Sequence, residues 1–180
     1  MSNLVESLKR LLRQQIVYPL LRLILRNPVS VTPIDCSRVR RILILRYDRI
    51  GDMIVTTPVL RILKRLNPGI QLDILASKAN AEILHQNPFV DSILVLETNW
   101  FRMLRQIVHL RKQRYDVVFN FVFNRTTGPG ILANLIAPDG IKVGQGPDRY
   151  AFYFNRLVKV RRFEQHMLES YVSMIEQAFG

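Results

Sequence analysis

One stretch, Arg41-Ile42-Leu43-Ile44-Leu45-Arg46-Tyr47-Asp48-Arg49-Ile50-Gly51-Asp52, limits what this chain can fold into more than any other. A continuous apolar run between two arginines suits a strand buried on both faces, the usual state in a parallel sheet. The polar turn that follows carries a glycine, and a second apolar segment runs from Met53 through Pro58 to Leu66. A helix leaving the carboxyl end of such a strand starts where open α/β sheets place their ligands. Asp48, Arg49, Gly51 and Asp52 are therefore expected at a site.

Simpler roles explain the same residues. Gly51 can serve only to supply a positive φ, and Asp52 only to cap the helix. Thr57-Pro58 offers an alternative start, with Thr57 as cap and Pro58 at the first helical position; a helix beginning at Asp52 would instead be kinked by Pro58. A carboxylate at the mouth of a sheet can also orient and deprotonate a hydroxyl, although at its ordinary pKa it is a weak base.

The rest of the chain repeats the alternation. Gln71–Ala76, Ser92–Leu96, Asp116–Asn120 and Ile141–Val143 read as strands, separated by helices over Ala79–His85, from Trp100 to Arg111 and over Leu132–Ile136. The spacing of Trp100, Phe101, Leu104, Ile107 and Val108 puts the aromatic pair in the core rather than on a stacking platform. A closing amphipathic helix runs from Glu164 to Ala178, with Tyr171 inward and Gly180 as terminator. Strand-helix alternation without hairpin signals implies an α/β fold, a Rossmann-like doubly wound parallel sheet. The loop Asn124-Arg125-Thr126-Thr127-Gly128-Pro129-Gly130 then faces the first loop across the crevice. Arg125 there can pair with a phosphate or carboxylate, and the glycines either expose backbone N–H groups or simply make the turn.

Ahead of this domain, taken as 38–180, residues 1–37 form an amphipathic helical segment and linker. Leu4, Val5, Leu8, Leu11, Leu12 and Ile16 share one helical arc, Pro19 interrupts it, and Asn27 to Pro33 reads as a linker with two prolines. Seven basic and two acidic residues over 1–40 fit either an interfacial membrane helix or a helix packed on the domain. The apolar parts are too short to span a bilayer. With 180 residues, 48% of them hydrophobic, the chain suits one α/β domain with a substantial core. Its charge of +12 favours anionic partners, membrane surface among them. Neither aromatic interleaving nor a reader motif supports nucleic acid, and the absence of G-x-G-x-x-G after the first strand argues against a dehydrogenase. One cysteine, Cys36, and the scattered His85, His109 and His166 offer no metal-ligand spacing.

Several of these residues, in order, carry a resemblance. Arg41 to Arg46, Ile50-Gly51-Asp52, Thr57-Pro58, Leu66-Asn67-Pro68, Tyr115-Asp116-Val117-Val118, Phe152 to Arg156, and His166, Glu169, Tyr171, Glu176 and Phe179-Gly180 resemble glycosyltransferase family 9, the ADP-heptose:lipopolysaccharide heptosyltransferases and their relatives. The resemblance covers roughly residues 40–180. It implies the amino-terminal, acceptor-binding half of a GT-B fold in lipopolysaccharide or envelope polysaccharide synthesis. The reaction it implies is an inverting, metal-independent transfer without a cofactor. A nucleotide-diphosphate sugar is the co-substrate, held by a carboxy-terminal donor domain outside these 180 residues, so that the chain alone is expected to be inactive. Asp52 matches the family's Gly-Asp aspartate, proposed as the base. Arg46 matches a position usually basic, and Arg49, Gly51, Asn124 and Arg125 fall in the loops that face the acceptor. Partners implied are a glycolipid or oligosaccharide acceptor and an anionic membrane, with a cytoplasmic, peripheral location on the inner face of the cytoplasmic membrane. One departure stands out: where the family often carries Asp then Gly after the fourth strand, this chain has Asn120 to Asn124. A non-catalytic membrane-associated binding module derived from such a domain is the alternative.

Overall fold

The computed structural model describes residues 13–25, 27–123, 126–159 and 166–180. Six strands, β1 (Arg41–Arg46), β2 (Gln71–Ala76), β3 (Ser92–Val95), β4 (Val117–Asn120), β5 (Ile141–Gln145) and β6 (Arg156–Val158), form one sheet. The spatial order is β3-β2-β1-β4-β5-β6 and every pairing is parallel. β1 is central, and its run is apolar throughout because both faces are covered. Ile42 and Ile44 enter one core with Met53, Leu60, Phe119 and Met174, while Leu43 and Leu45 enter the other with Leu110, Val118 and Ile136. Successive strand side chains point to opposite faces, so an alternating strand could not fill both layers.

Before the sheet comes α1 (Tyr18–Ile24), entered through a π-helical turn (Arg13–Val17) and carrying Pro19 in its first turn, where a missing N–H costs little. Of the amphipathic arc predicted from Leu4 to Ile16, residues 4–12 lie outside the described residues, and Ile16 is exposed. α2 (Ile50–Leu66), α3 (Lys78–Leu84), α4 (Trp100–Lys112), α5 (Thr127–Ile136) and α6 (Met167–Phe179) surround the sheet. Side chains of α2, α3 and α6 fill the first core, and those of α4 and α5 the second. The helix end expected at Gly180 is observed, with its φ at +95° and its N–H bonded to the Glu176 carbonyl at 2.7 Å.

Several expectations are corrected. α2 starts at Ile50 behind an extended Arg49, so neither Asp52 nor Thr57 is its cap. Pro58 lies inside the helix, tolerated because Thr57 Oγ1 donates to the Ile54 carbonyl at 2.8 Å, the acceptor that proline's missing N–H leaves open. Gly51 is helical rather than in a positive-φ turn. Gly128 and Gly130 likewise belong to α5, which begins five residues before the predicted Leu132. A Cβ on Gly130 would come within 2.6 Å of the Tyr153 ring, so this glycine is there for close packing. Strand β6 went unrecognised, being only three residues long. The linker is a fixed strap: Ser30 N–H donates to the Asn155 carbonyl at 2.8 Å, Asn155 Nδ2 to the Pro28 carbonyl at 3.1 Å, and Ile34 N–H to the Ala178 carbonyl at 2.8 Å.

The largest correction concerns α4. Leu110 is its only buried residue, and Trp100 and Phe101, predicted as core, face solvent. The register of the helix turns Met103, Gln106, Ile107 and Leu110 toward the sheet and leaves the aromatic arc outside.

Candidate active site at the carboxyl ends of β1 and β4

Strand order reverses between β1 and β4, one neighbour leading toward β3 and the other toward β6, so a crevice opens outside their carboxyl ends. The last residue of β1, Arg46, is fully buried there. Its Nη1 donates to Asp48 Oδ2 at 3.3 Å and to the Phe121 carbonyl in the loop after β4; Nη2 donates to the Tyr171 hydroxyl and lies 3.8 Å from Asp52 Oδ2. The guanidinium carbon also stands 4.9 Å from the centre of the Tyr171 ring. One buried cation thus joins two carboxylates, the loop after β4 and the last helix. Its planar fork of donors suits this task in a way a lysine ammonium does not.

The two carboxylates differ. The Asp48 side chain is 13% exposed, and burial pushes its pKa above the ordinary carboxylate value, against the opposing pull of Arg46. Asp52, third residue of α2, has a side chain 26% exposed, turned to the opening while its Oδ2 stays near Arg46. Gly51 precedes it, and a Cβ there would meet nothing within 4 Å, which leaves open space at the mouth. Asn80 of α3 fixes the loop from below, donating from Nδ2 to the carbonyls of Arg46 at 3.1 Å and Asp48 at 3.4 Å. Tyr171 stacks against Phe121 with ring centres 5.0 Å apart, and burial raises its hydroxyl pKa to about 12.

Of the residues expected to meet substrate, Arg49, Gly51 and Asp52 stand at the opening, Arg49 and Gly51 exposed. Arg46 is enclosed, so its charge acts through Asp48 and Asp52. Asn124 and Arg125 lie outside the described residues. Asn80 and Tyr171 were not singled out as site residues. Tyr171 carried a signal, since it stands among the residues of the family resemblance, but as an inward helical aromatic it read as core. Among the described residues no three His, Cys, Asp or Glu side chains gather as metal ligands, and no helix is long and apolar enough to cross a membrane. Cys36 is a partly buried free thiol whose pKa burial pushes up.

An all-parallel sheet with a carboxylate at its switch point is compatible with many enzymes, and comparison with known proteins narrows the class. No family model matches the chain. Over 93 residues, 49% of this chain and 26% of the relative, it is 27% identical to a putative glycosyltransferase of Haemophilus influenzae. Over 80 residues the chain is 29% identical to lipopolysaccharide heptosyltransferase 3 of Escherichia coli, covering 39% of this chain and 23% of that protein. Solved structures share the fold: a glycosyl transferase family 9 protein of Veillonella parvula superposes with a TM-score of 0.66 at 20% identity, over 82% of this chain and 42% of the other. The E. coli heptosyltransferase WaaC with ADP does so with a TM-score of 0.63 at 21% identity, over 78% and 47%. The similarities point the same way as the sequence motifs, which resemble glycosyltransferase family 9, and the chain spans about a quarter of the curated relatives and under half of these solved structures.

Proposed function

We propose that the crevice beside β1 and β4 binds the sugar acceptor of a heptosyltransferase-like reaction in lipopolysaccharide or envelope polysaccharide synthesis, with Asp52 as the base. The observation that carries this reading is the partly exposed Asp52 carboxylate beside the open space at Gly51, braced from within by the enclosed Arg46. In the step, an acceptor hydroxyl oxygen attacks the anomeric carbon of a nucleotide-diphosphate sugar. The bond from that carbon to the diphosphate oxygen breaks, the hydroxyl proton passes to Asp52, and the anomeric configuration inverts. The family resemblance supports an inverting, metal-independent course without a resident cofactor, and a donor domain facing the crevice that would hold the nucleotide. Arg49 and the loop that includes Asn124 and Arg125 would meet acidic groups of a glycolipid or oligosaccharide acceptor. An acceptor of this kind implies a peripheral position on the inner face of the cytoplasmic membrane.

Arg46 aims the Asp52 carboxylate, its Nη2 lying 3.8 Å from Asp52 Oδ2. That separation is longer than the 3.2 Å contact to Asp48, so the carboxylate is oriented by Arg46 and still has its outer side open to a ligand. The test is Asp52→Asn with a donor domain supplied. It should leave folding and acceptor binding nearly unchanged and lower turnover by roughly 10²–10⁴-fold, the usual worth of a positioned proton acceptor. A folded variant with undiminished turnover would remove Asp52 from the chemistry. Acceptor-induced amide shifts that bypass Arg49, Gly51 and Asp52 would remove the crevice.

A further inference from the structure

α4 turns a large apolar face to solvent. Trp100 is 60% exposed, Phe101 71%, Leu104 40% and Val108 56%. At the pitch of an α-helix these four share an arc of about 100°. They form a contiguous patch on an element whose opposite side is packed on the sheet. Such a patch on a protein surface marks an interaction site.

Charge identifies the occupant. α4 carries exposed Arg102, Arg105, Arg111 and Lys112 and has no Asp or Glu. Among the described residues, none of these cations takes part in an ion pair. Arg105 and Lys112 project beside the apolar arc, where long basic side chains can reach toward acidic head groups while the arc enters the acyl boundary. Trp100 and Phe101 occupy the first turn, and tryptophan prefers the polar-apolar interface. A protein partner would need to be both apolar and acidic over the same small patch. An anionic bilayer offers the two together.

We propose that α4 is a membrane-docking helix: it inserts Trp100, Phe101, Leu104 and Val108 into the surface of an anionic bilayer while Arg105 and Lys112 engage the head groups. Because α4 follows the carboxyl end of β3, its aromatic turn stands at the same end of the sheet as the crevice. Docking by that turn brings the crevice mouth toward the bilayer surface. Only this last consequence, delivery of a glycolipid to the crevice, rests on the function proposed above; binding through α4 stands whether or not the crevice transfers sugar.

Trp100 is the one tryptophan of the chain and therefore reports on its own helix. The experiment records its fluorescence in the full chain with phosphatidylcholine vesicles, with and without phosphatidylglycerol. With the anionic vesicles, emission should shift to the blue, lipids brominated in the acyl chain should quench it, and added salt should weaken the effect. Replacing two inserted side chains in Phe101→Ser with Leu104→Ser should lower partitioning by about tenfold or more. Replacing two cations in Arg105→Gln with Lys112→Gln should lower affinity for anionic vesicles roughly 30-fold and leave neutral vesicles unaffected. All four positions are exposed or on the solvent side, and unchanged melting temperatures confirm intact folding. Trp100 emission indifferent to vesicles that nevertheless sediment the chain would overturn the proposal, placing attachment elsewhere, residues 1–25 included. A blue shift that grows with protein concentration in the absence of lipid would also overturn it, making the occupant a second copy.

Discussion

Replacing Arg46 by Met tests whether the buried guanidinium holds the site together. Methionine keeps most of the side-chain volume and the apolar stem but removes every donor. The structure then leaves Asp48 without its cation at 13% exposure, and Asp52, the Phe121 carbonyl and the Tyr171 hydroxyl each without the partner Arg46 supplied. Breaking a buried ion pair from one side costs about 3–5 kcal/mol, since an uncompensated charge remains. For a domain of this length that corresponds to a fall in melting temperature of roughly 10 °C, at about 2–4 °C per kcal/mol. Thermal unfolding followed by circular dichroism at neutral pH measures it, with urea titration as a second route. Arg46→Lys should recover only part of the loss, because one ammonium cannot reach both the carboxylates and the Phe121 carbonyl. Adding Asp48→Asn to Arg46→Met should regain at least about 1 kcal/mol, as the stranded charge is gone. An Arg46→Met protein that melts within about 2 °C of the original would refute the reasoning, since the pair's loss would be far below the expected range.

Gly51→Ala should raise stability by about 0.5–1 kcal/mol, because the position is helical and sterically open, yet weaken acceptor binding if the opening receives the ligand; melting and titration calorimetry separate the two effects. Gly130→Ala should instead destabilise by about 1–3 kcal/mol through its collision with the buried Tyr153 ring, read from urea midpoints. For Tyr171, the folded pKa of about 12 lies above the unfolded value. Its contribution to stability is whole below the unfolded pKa and is lost as pH rises toward and through the folded one, so the stability gap to Tyr171→Phe should narrow above about pH 10. The folded Asp48 pKa is likewise raised, so Asp48 adds stability below its unfolded pKa and loses it as pH rises through the folded value; carbon-13 titration of the carboxyl should show a midpoint above that of a free aspartate.

The sheet was legible because strands buried on both faces write themselves as unbroken apolar runs, as in Ile42 to Leu45, and because the intervening helices carry their own period. Strand order put Arg49, Gly51 and Asp52 just past the carboxyl end of β1, where the structure has them. Helix starts were less legible. Pro58 looked like a beginning because the compensating bond, Thr57 to the Ile54 carbonyl, uses a side chain whose rotamer the sequence does not state. Tyr171 joined the site from 125 positions away, a distance at which no local pattern speaks. Trp100 and Phe101 misled for another reason: periodicity finds the apolar side of a helix, but α4 has two apolar sides, and only packing distinguishes the one on the sheet.

The strap over residues 27–34 has a bearing on how the chain is made. Its partners Asn155 and Arg156 stand 127 and 126 positions downstream of Pro28 and Ser30. During synthesis at about 5–20 residues per second, the strap waits roughly 6–25 s before those partners exist. For that interval β1 to β4 can assemble while the strap stays unattached, with Leu20, Leu23 and Ile24 of α1 exposed beside it. Closure of the strap over β6 and α6 is then a late, long-range event, and α1 with the strap is the segment most available in that interval to chaperones or to a nearby bilayer.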